Sequence, residues 1–189
     1  MKIKYTIEFH GYWHCGSGLA AGADVDALVI RDKNKLPYIP GKTMKGLIRE
    51  ATNELLFLCQ GEQNCENKDY LKVFGYFEDD KEKMHKSESF FSNATLNVAE
   101  AQAIINQDLQ RFMSTSVSQT AINEETGSAA RHSLRKTEVV VPCILEGEIL
   151  EVPDTIADTL LDSLALIKRL GVGRNRGLGR CTIKGRKEE

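Results

Sequence analysis

The chain has 189 residues, of which 41% are apolar and 28% charged, an ordinary globular composition that excludes disorder and gives enough length for one domain with its own core. Lysine and arginine number 25 against 27 aspartates and glutamates, for a net charge of −2, and that balance alone argues against a nucleic-acid binder, whose usual footprint is a basic domain. No apolar run approaches the roughly 18 residues of a membrane span.

The N-terminus, Met1 to Thr6, alternates and lacks the hydrophobic core of a secretion signal, so a cytoplasmic protein is expected. Cys15, Cys59, Cys65, Cys143 and Cys181 are scattered and form no CxxC pair, which predicts free thiols in a reducing compartment.

Residues 2–9 read as a strand, with Ile3, Tyr5, Ile7 and Phe9 on one face and Lys2, Lys4, Thr6 and Glu8 on the other. Gly11, Gly16, Gly18 and Gly22 mark a loop, the apolar run Leu28-Val29-Ile30 follows, and Asp32 to Lys35 reads as a turn. Pro40 and Gly41 open a helix over 42–58. Met44, Leu47, Ile48, Ala51 and Leu55 form its apolar face, and Lys42, Lys45 and Arg49 share another.

Residues 60–89 are acidic (Glu62, Glu66, Asp69, Glu78, Asp79, Asp80, Glu82) and read as a loop anchored by Val73 to Phe77. Phe90 to Ala99 reads as the second strand. Residues 105–136 form a long segment ending in the basic stretch Arg131 to Lys136, and such an insertion is usually functional or mobile. Val139 to Val141 and Ile144 to Leu150 are strand-like and broken by Pro142. Asp154 or Thr155 is placed to cap a helix with Ile156, Leu160, Leu161, Leu164 and Ile167 inward. The glycine-rich stretch 171–180 leads to a last strand, Cys181 to Lys184. The order β-α-β-β-α-β predicts an α+β protein with a ferredoxin-like (RRM-like) core. It is one domain over 1–189, with insertions after the first strand and between the central strands, at about 10–40, 60–89 and 105–136.

Three places carry chemistry. In 171–180, glycines including Gly173 free the backbone for close approach to a ligand, and Arg174, Arg176 and Arg180 add bidentate phosphate donors. The alternative there is a plain glycine turn with a solvated basic face. Gly41-Lys42-Thr43 is not a phosphate loop, because Leu36 stands where the first glycine is required. A helix start facing a phosphate backbone through Lys42, Lys45 and Arg49 fits better, set against an ordinary exposed helix face. Asp24, Asp26 and Asp32 could hold a divalent ion beside a phosphate track, although aspartate is also common turn chemistry. His10, His14 and Cys15 match no ligand spacing, and Cys59-x5-Cys65 with His85 is a weak zinc pattern beside the simpler reading as plain thiols.

Four segments together resemble the RAMP superfamily of CRISPR-associated proteins, and most of all the repeated backbone subunit of type III effector complexes (the third Csm or fourth Cmr subunit). They are Leu36 to Arg49 (LPYIPGKTMKGLIR), Val73-Phe74-Gly75, Thr137 to Pro142 (TEVVVP) and Gly171 to Arg180. The resemblance spans nearly the whole chain. It implies a catalytic aspartate in the 10–40 loop, in register at Asp26, with Asp24 as the fallback. It also implies magnesium or another divalent cation at Asp26, and guide-RNA contacts at Lys42, Lys45 and Arg49. Residues 117–136 resemble the family's thumb, with Ala121-Ile122-Asn123 where an Ile-Asp-Arg-like sequence is common, and Arg131 and Arg135 join the RNA-binding set with Gly173, Arg174, Arg176 and Arg180.

The implied activity is a metal-dependent endoribonuclease acting within a complex. The subunit would polymerise with copies of itself and other type III subunits along a guide CRISPR RNA, and would cut complementary target RNA at regular intervals by 2′-OH attack. Two alternatives stand beside it. One is a stand-alone RAMP ribonuclease that trims guide precursors with His10 or His14; the other is a structural RAMP subunit without chemistry. The net charge also reads differently by segment. The acids of 60–89 offset two basic tracts, one from Arg31 to Arg49 and one from Lys168 to Lys187.

Overall fold

The computed structural model describes residues 1–21, 24–60, 68–77 and 84–188. Strand β1 (Lys2–Phe9) alternates as its sequence predicts: Ile3, Tyr5, Ile7 and Phe9 are buried, and the intervening polar side chains point to the opposite face. It is the central strand of a four-stranded antiparallel sheet. Strand β7 (Ile144–Leu150) pairs with one edge, Ile3 opposite Ile149, and β8 (Cys181–Glu188) with the other, Ile7 opposite Ile183. Strand β4 (Phe90–Phe91) extends β7, giving the order β4-β7-β1-β8.

Helix α1 (Gly41–Gln60) packs against α4 (Ala157–Leu166), and α4 lies on β8. Met44, Ile48, Leu160 and Leu164 are fully buried in one cluster with Ile3, Ile7, Leu145 and Ile149. Burying side chains of this size stabilises by about 1.5–3 kcal/mol each relative to exposure, so the helix–sheet layer is the main source of stability. Gly41 is fixed by this packing, because a Cβ there would enter the Phe91 carbonyl; its amide donates to Asn93 Oδ1 at 2.9 Å. The opposite sheet face is a polar ladder, with Lys2–Glu148 at 3.1 Å and Lys4–Glu188 at 2.9 Å.

Several sequence expectations change. The second strand, expected over Phe90 to Ala99, stops at Phe91. Asn97 then caps a helix, α3 (Val98–Asn106), by accepting from Ala99 N–H at 3.0 Å, and the alanine-rich run beyond it continues the helix. Strand β6 (Arg135–Val140) does not join the main sheet. It pairs antiparallel with β5 (Ser114–Gln119), Ser114 opposite Val140 and Gln119 opposite Arg135.

Neither Asp154 nor Thr155 caps α4; a 3₁₀ turn over Asp154–Ile156 precedes it. The Thr155 hydroxyl is engaged by the Asp69 carboxylate, and the Asp154 carboxylate lies 3.6 Å from the N-terminal amine. Leu56 rather than Leu55 is buried in the second half of α1. The expected loop over 60–89 contains a helix, α2 (Lys68–Phe74), with Tyr70, Val73 and Phe74 buried. A short ladder between β2 (Tyr76–Phe77) and β3 (Met84–His85) follows. Glu62, Glu66, Glu78, Asp79, Asp80, Glu82 and Cys65 lie outside the described residues. No helix among the described residues is long and apolar enough to cross a membrane.

Candidate functional site

Residues 10–17 are an extended connector that ties three loops together. His10 N–H donates to the Arg180 carbonyl at 2.9 Å, and the Tyr12 carbonyl accepts from Gly179 N–H at 2.8 Å. The His14 carbonyl accepts from Val172 N–H at 2.9 Å, and the Cys15 carbonyl from Ile30 N–H at 2.9 Å. Trp13 and Val140 exchange backbone hydrogen bonds of 3.1 and 2.8 Å. The Trp13 ring is buried and stacked on Phe9, with centroids 4.6 Å apart. The connector therefore holds the glycine loop to one side and the Asp26 loop with the β5–β6 hairpin to the other.

Asp26 sits beside the outer end of the β5–β6 ladder, against Lys136, which pairs with Ser118. Its N–H donates to the Lys136 carbonyl at 2.8 Å, and its carboxylate Oδ2 accepts from Lys136 N–H at 2.7 Å. The chain continues alongside β6, with Ala27 bridged to Thr137 and Glu138 N–H donating to the Ala27 carbonyl at 3.0 Å. The Asp26 side chain is nonetheless exposed, with Oδ1 outside this pairing. Asp24 is also exposed, in the tight turn closed by Ala21 N–H to the Val25 carbonyl at 2.8 Å. Asp32 is turn chemistry: its Oδ1 accepts from Asn34 and Leu36 N–H at 2.8 and 2.9 Å.

Glu138 holds the Asp26 loop in place. One oxygen accepts from Val29 N–H at 2.9 Å. The other accepts from the Arg31 guanidinium at 2.7 Å and from the Ser114 hydroxyl at 2.8 Å. Burial acts to raise its pKa, but the Val29, Arg31 and Ser114 hydrogen bonds and the Arg31 charge outweigh it and hold the carboxyl below its usual range. The Glu138 carbonyl lies 2.6 Å from the ring Nδ1 of His14, which is almost wholly buried. His14 is thus a structural pin between the connector and β6. The exposed His10 ring lies 2.7 Å from the Thr182 hydroxyl. The sequence pattern drew attention to the aspartates and passed over Glu138, Trp13 and the structural role of His14. Glu138 was visible only as part of the TEVVVP stretch.

The glycine loop is built differently from the expectation of ligand access at every glycine. Gly171, Gly173, Gly177 and Gly179 all have positive φ, and a 3₁₀ turn over Arg174–Arg176 lies between them. A Cβ on Gly171 would enter the His14 carbonyl, and one on Gly179 the Leu170 carbonyl, whereas one on Gly177 meets nothing. Two glycines therefore serve close backbone packing, and the exposed Arg174, Arg176 and Arg180 supply the outward charge. Gly179→Ala is expected to destabilise by about 3 kcal/mol, from φ strain plus overpacking. Gly177→Ala is expected to cost about 1–2 kcal/mol from φ strain alone. Urea denaturation of the two variants tests that order.

Lys42, Lys45 and Arg49 stand elsewhere, at the start of α1 beside β4. Lys42 and Arg49 are exposed. The Lys45 amine lies 5.9 Å above the Phe91 ring, and burial together with the Arg49 charge lowers its pKa. Arg131 and Arg135 are exposed on the hairpin. At its tip Ile122 bridges Ala129, and Asn123 Oδ1 accepts from Glu125 and Thr126 N–H at 2.9 and 3.2 Å. Ala121, Ile122 and Asn123 are solvent-exposed.

Cys15, Cys143 and Cys181 are free. Burial pushes all three thiols up, Cys143 and Cys181 to about 11, which removes thiolate chemistry near neutrality. The His85 ring stacks on Tyr76 at 4.3 Å, and Cys65 of the weak zinc pattern lies outside the described residues. Among the described residues no three His, Cys, Asp or Glu side chains cluster as a metal cage. The donor set at Asp26 fits a hard cation held by one carboxylate and by phosphates of a substrate, as magnesium often is, and does not fit an all-protein cage.

The RAMP superfamily model matches residues 6–182, a span that contains the Asp26 loop, the hairpin and the glycine loop. The chain belongs to the RAMP superfamily. Among solved structures, this RAMP chain is similar to a chain in a cryo-EM structure of the type III-B Cmr-beta complex bound to cognate target RNA. The TM-score is 0.72 at 13% identity, covering 98% of this chain and 97% of the other. A chain in the apo state of the type III-B Cmr-beta complex matches with a TM-score of 0.68 at 13% identity, over 100% and 98% of the two chains. At such identity the likeness establishes a shared RAMP fold with mixed helices and antiparallel sheets. No curated protein sequence matches the chain.

Proposed function

We propose that this RAMP protein is a guide-RNA-binding backbone subunit of a type III CRISPR effector complex that cleaves complementary target RNA, with Asp26 as its catalytic carboxylate. The observation that carries this reading is the double hydrogen bond between Asp26 and Lys136, which sets an exposed carboxylate against the hairpin where its paired strands give way to the exposed loop. The similarity to chains of type III-B Cmr-beta complexes, one of them bound to cognate target RNA, supports the partner class. The strand order β4-β7-β1-β8, with α1 and α4 joining the strands, supports a ferredoxin-like βαββαβ core.

The hairpin is the element that would wedge between guide and target, with Ile122, 60% exposed near its tip, as the apolar contact for an unstacked base. A regular A-form helix holds the 2′-oxygen out of line with the neighbouring phosphorus. Displacing one nucleotide permits the in-line approach. The 2′-oxygen then bonds to phosphorus and the P–O5′ bond breaks, leaving a 2′,3′-cyclic phosphate and a 5′-OH. Asp26 acts by taking the 2′-OH proton or by holding the divalent cation, and solvent supplies the proton to the leaving 5′-oxygen. The cation, when bound, supplies charge stabilisation at the phosphate. The guide supplies sequence selection by base pairing, so the protein contacts backbone, through Lys42, Lys45, Arg49, Arg131, Arg135 and the arginines of the glycine loop. Copies of the chain and other type III subunits would flank it along the guide.

The test is to express the protein with its guide and neighbouring subunits and to present a complementary RNA. RNA is expected to co-purify, and cleavage is expected at a constant interval. Binding is expected to weaken steeply with salt in spite of the acidic composition. A target cut at irregular positions, or a preparation free of RNA, would overturn the reading.

A further inference from the structure

A cleft of about 460 Å³ lies between the turn after Arg31 and the end of α3, and Arg31, Lys33, Lys35, Asp108 and Arg111 contribute to its lining. Its charge is lopsided. Arg31 is neutralised by Glu138, but Lys33, Lys35 and Arg111 are exposed and have no ion-pair partner among the described residues. Asp108 is the one carboxylate of the lining; Asp32 is exposed outside it, with its Oδ1 on the Asn34 and Leu36 amides.

The two walls are held rigidly. Lys35 has φ +64 and Asp108 φ +53, positions where glycine or asparagine is easier. Lys35 N–H is bound to the Asp32 carbonyl at 3.0 Å, and Asp108 N–H to the Ile105 carbonyl at 3.1 Å. Arg31 donates to the Lys35 carbonyl at 2.9 Å and to the Ser114 hydroxyl at 2.6 Å. The cleft is therefore tied to the foot of the β5–β6 hairpin through the same guanidinium that Glu138 orients. The Arg111 guanidinium is parked 4.7 Å over the exposed Phe112 ring, which leaves its fork unpaired by any carboxylate.

We propose that this cleft is a phosphate-binding notch for an RNA strand, held by Lys33, Lys35 and Arg111. It rests on the RNA-binding reading above and adds a second track, on the Arg31 side of the hairpin and apart from the glycine-loop arginines. Three unpaired cations against one carboxylate, on rigid turns and beside a concave wall, suit successive phosphodiesters. The arginine fork suits bidentate contact and the two lysines act as point charges.

The test uses the full chain and a fluorescein-labelled single-stranded RNA, titrated over a range of salt. The variant Lys33→Ala/Lys35→Asn/Arg111→Ala removes the charges, and asparagine tolerates the positive φ at 35, so folding is preserved. Affinity is expected to fall about tenfold or more, and the slope of log affinity against log salt to flatten by about two. Asp108→Asn is expected to bind RNA more tightly. Lys35→Arg is expected to retain wild-type binding. If the triple variant keeps wild-type affinity and slope while Arg174→Ala/Arg176→Ala loses RNA, the notch is overturned and the RNA-binding reading survives. A fall in affinity with an unchanged slope also overturns it, because no phosphate contact was lost. If the wild-type chain binds no RNA at any salt, both readings fall.

Discussion

Asp26→Asn is expected to stop target cleavage while leaving guide assembly and target binding intact. Asparagine keeps a side-chain oxygen that can accept from Lys136 N–H, as Oδ2 does at 2.7 Å, so the loop stays on the hairpin. It loses the charge needed to take a proton or hold a cation. Loss of a positioned general base costs about 10²–10⁴ in rate, and loss of the cation site should reach the upper part of that range. Single-turnover cleavage of a complementary RNA, run beside a gel-shift of the same complex, separates the effects. Cleavage within a few-fold of wild type would remove Asp26 from the chemistry. Asp24→Asn, in a neighbouring turn and unattached to Lys136, is expected to cleave near the wild-type rate.

Glu138→Ala is expected to be the most damaging single change among the side chains that hold the Asp26 loop. It removes the acceptor of Val29 N–H and of the Ser114 hydroxyl and the counter-charge of Arg31, which keeps its bonds to the Lys35 carbonyl and Ser114. Breaking a buried ion pair from one side costs about 3–5 kcal/mol; the Arg31 and Glu138 side chains keep 24% and 17% exposure, so about 2–3 kcal/mol is expected. Glu138→Gln retains size but not charge and should cost about half as much. The pH dependence has a definite sign. The folded-state pKa of Glu138 lies below its ordinary value of 4.5, so its contribution is complete above that value and is lost as pH falls through the folded one. Urea midpoints measured between neutral pH and the acid range should converge for wild type and Glu138→Gln at low pH. A constant gap would mean that Glu138 does not titrate with folding.

Much of the fold could be read from local pattern. Alternation over 2–9 places Ile3, Tyr5, Ile7 and Phe9 inward, and 3.6-residue spacing places Met44 and Ile48 there too. These signals repeat within a few residues, so they survive without knowledge of the partner surface. Phe90 to Ala99 misled because its apolar residues suit a strand, while the Asn97 cap that redirects the chain is a single side chain. The missed helix α2 is short, and its buried face packs outside the helix, with Phe74 stacked on Phe91 of β4 and the helix against the 3₁₀ turn at Asp154–Ile156.

The α+β class, the alternating strand β1, the two core helices and the segments that carry the RAMP resemblance are legible along the chain, because each is written in local periodicity or a short motif. How the chemistry-bearing residues meet is set by long-range packing. Asp26 and Lys136 are 110 residues apart and hydrogen-bonded; Glu138 reaches back to Val29 and Arg31; Gly171 closes on the His14 carbonyl. Such pairings come from loop closure over long separations, whose entropy is recovered only when the whole core is in place, and no local pattern encodes them. The net charge of −2 shows the same limit: it sums over a surface on which the fold gathers cations at the hairpin, the glycine loop and the cleft beside α3.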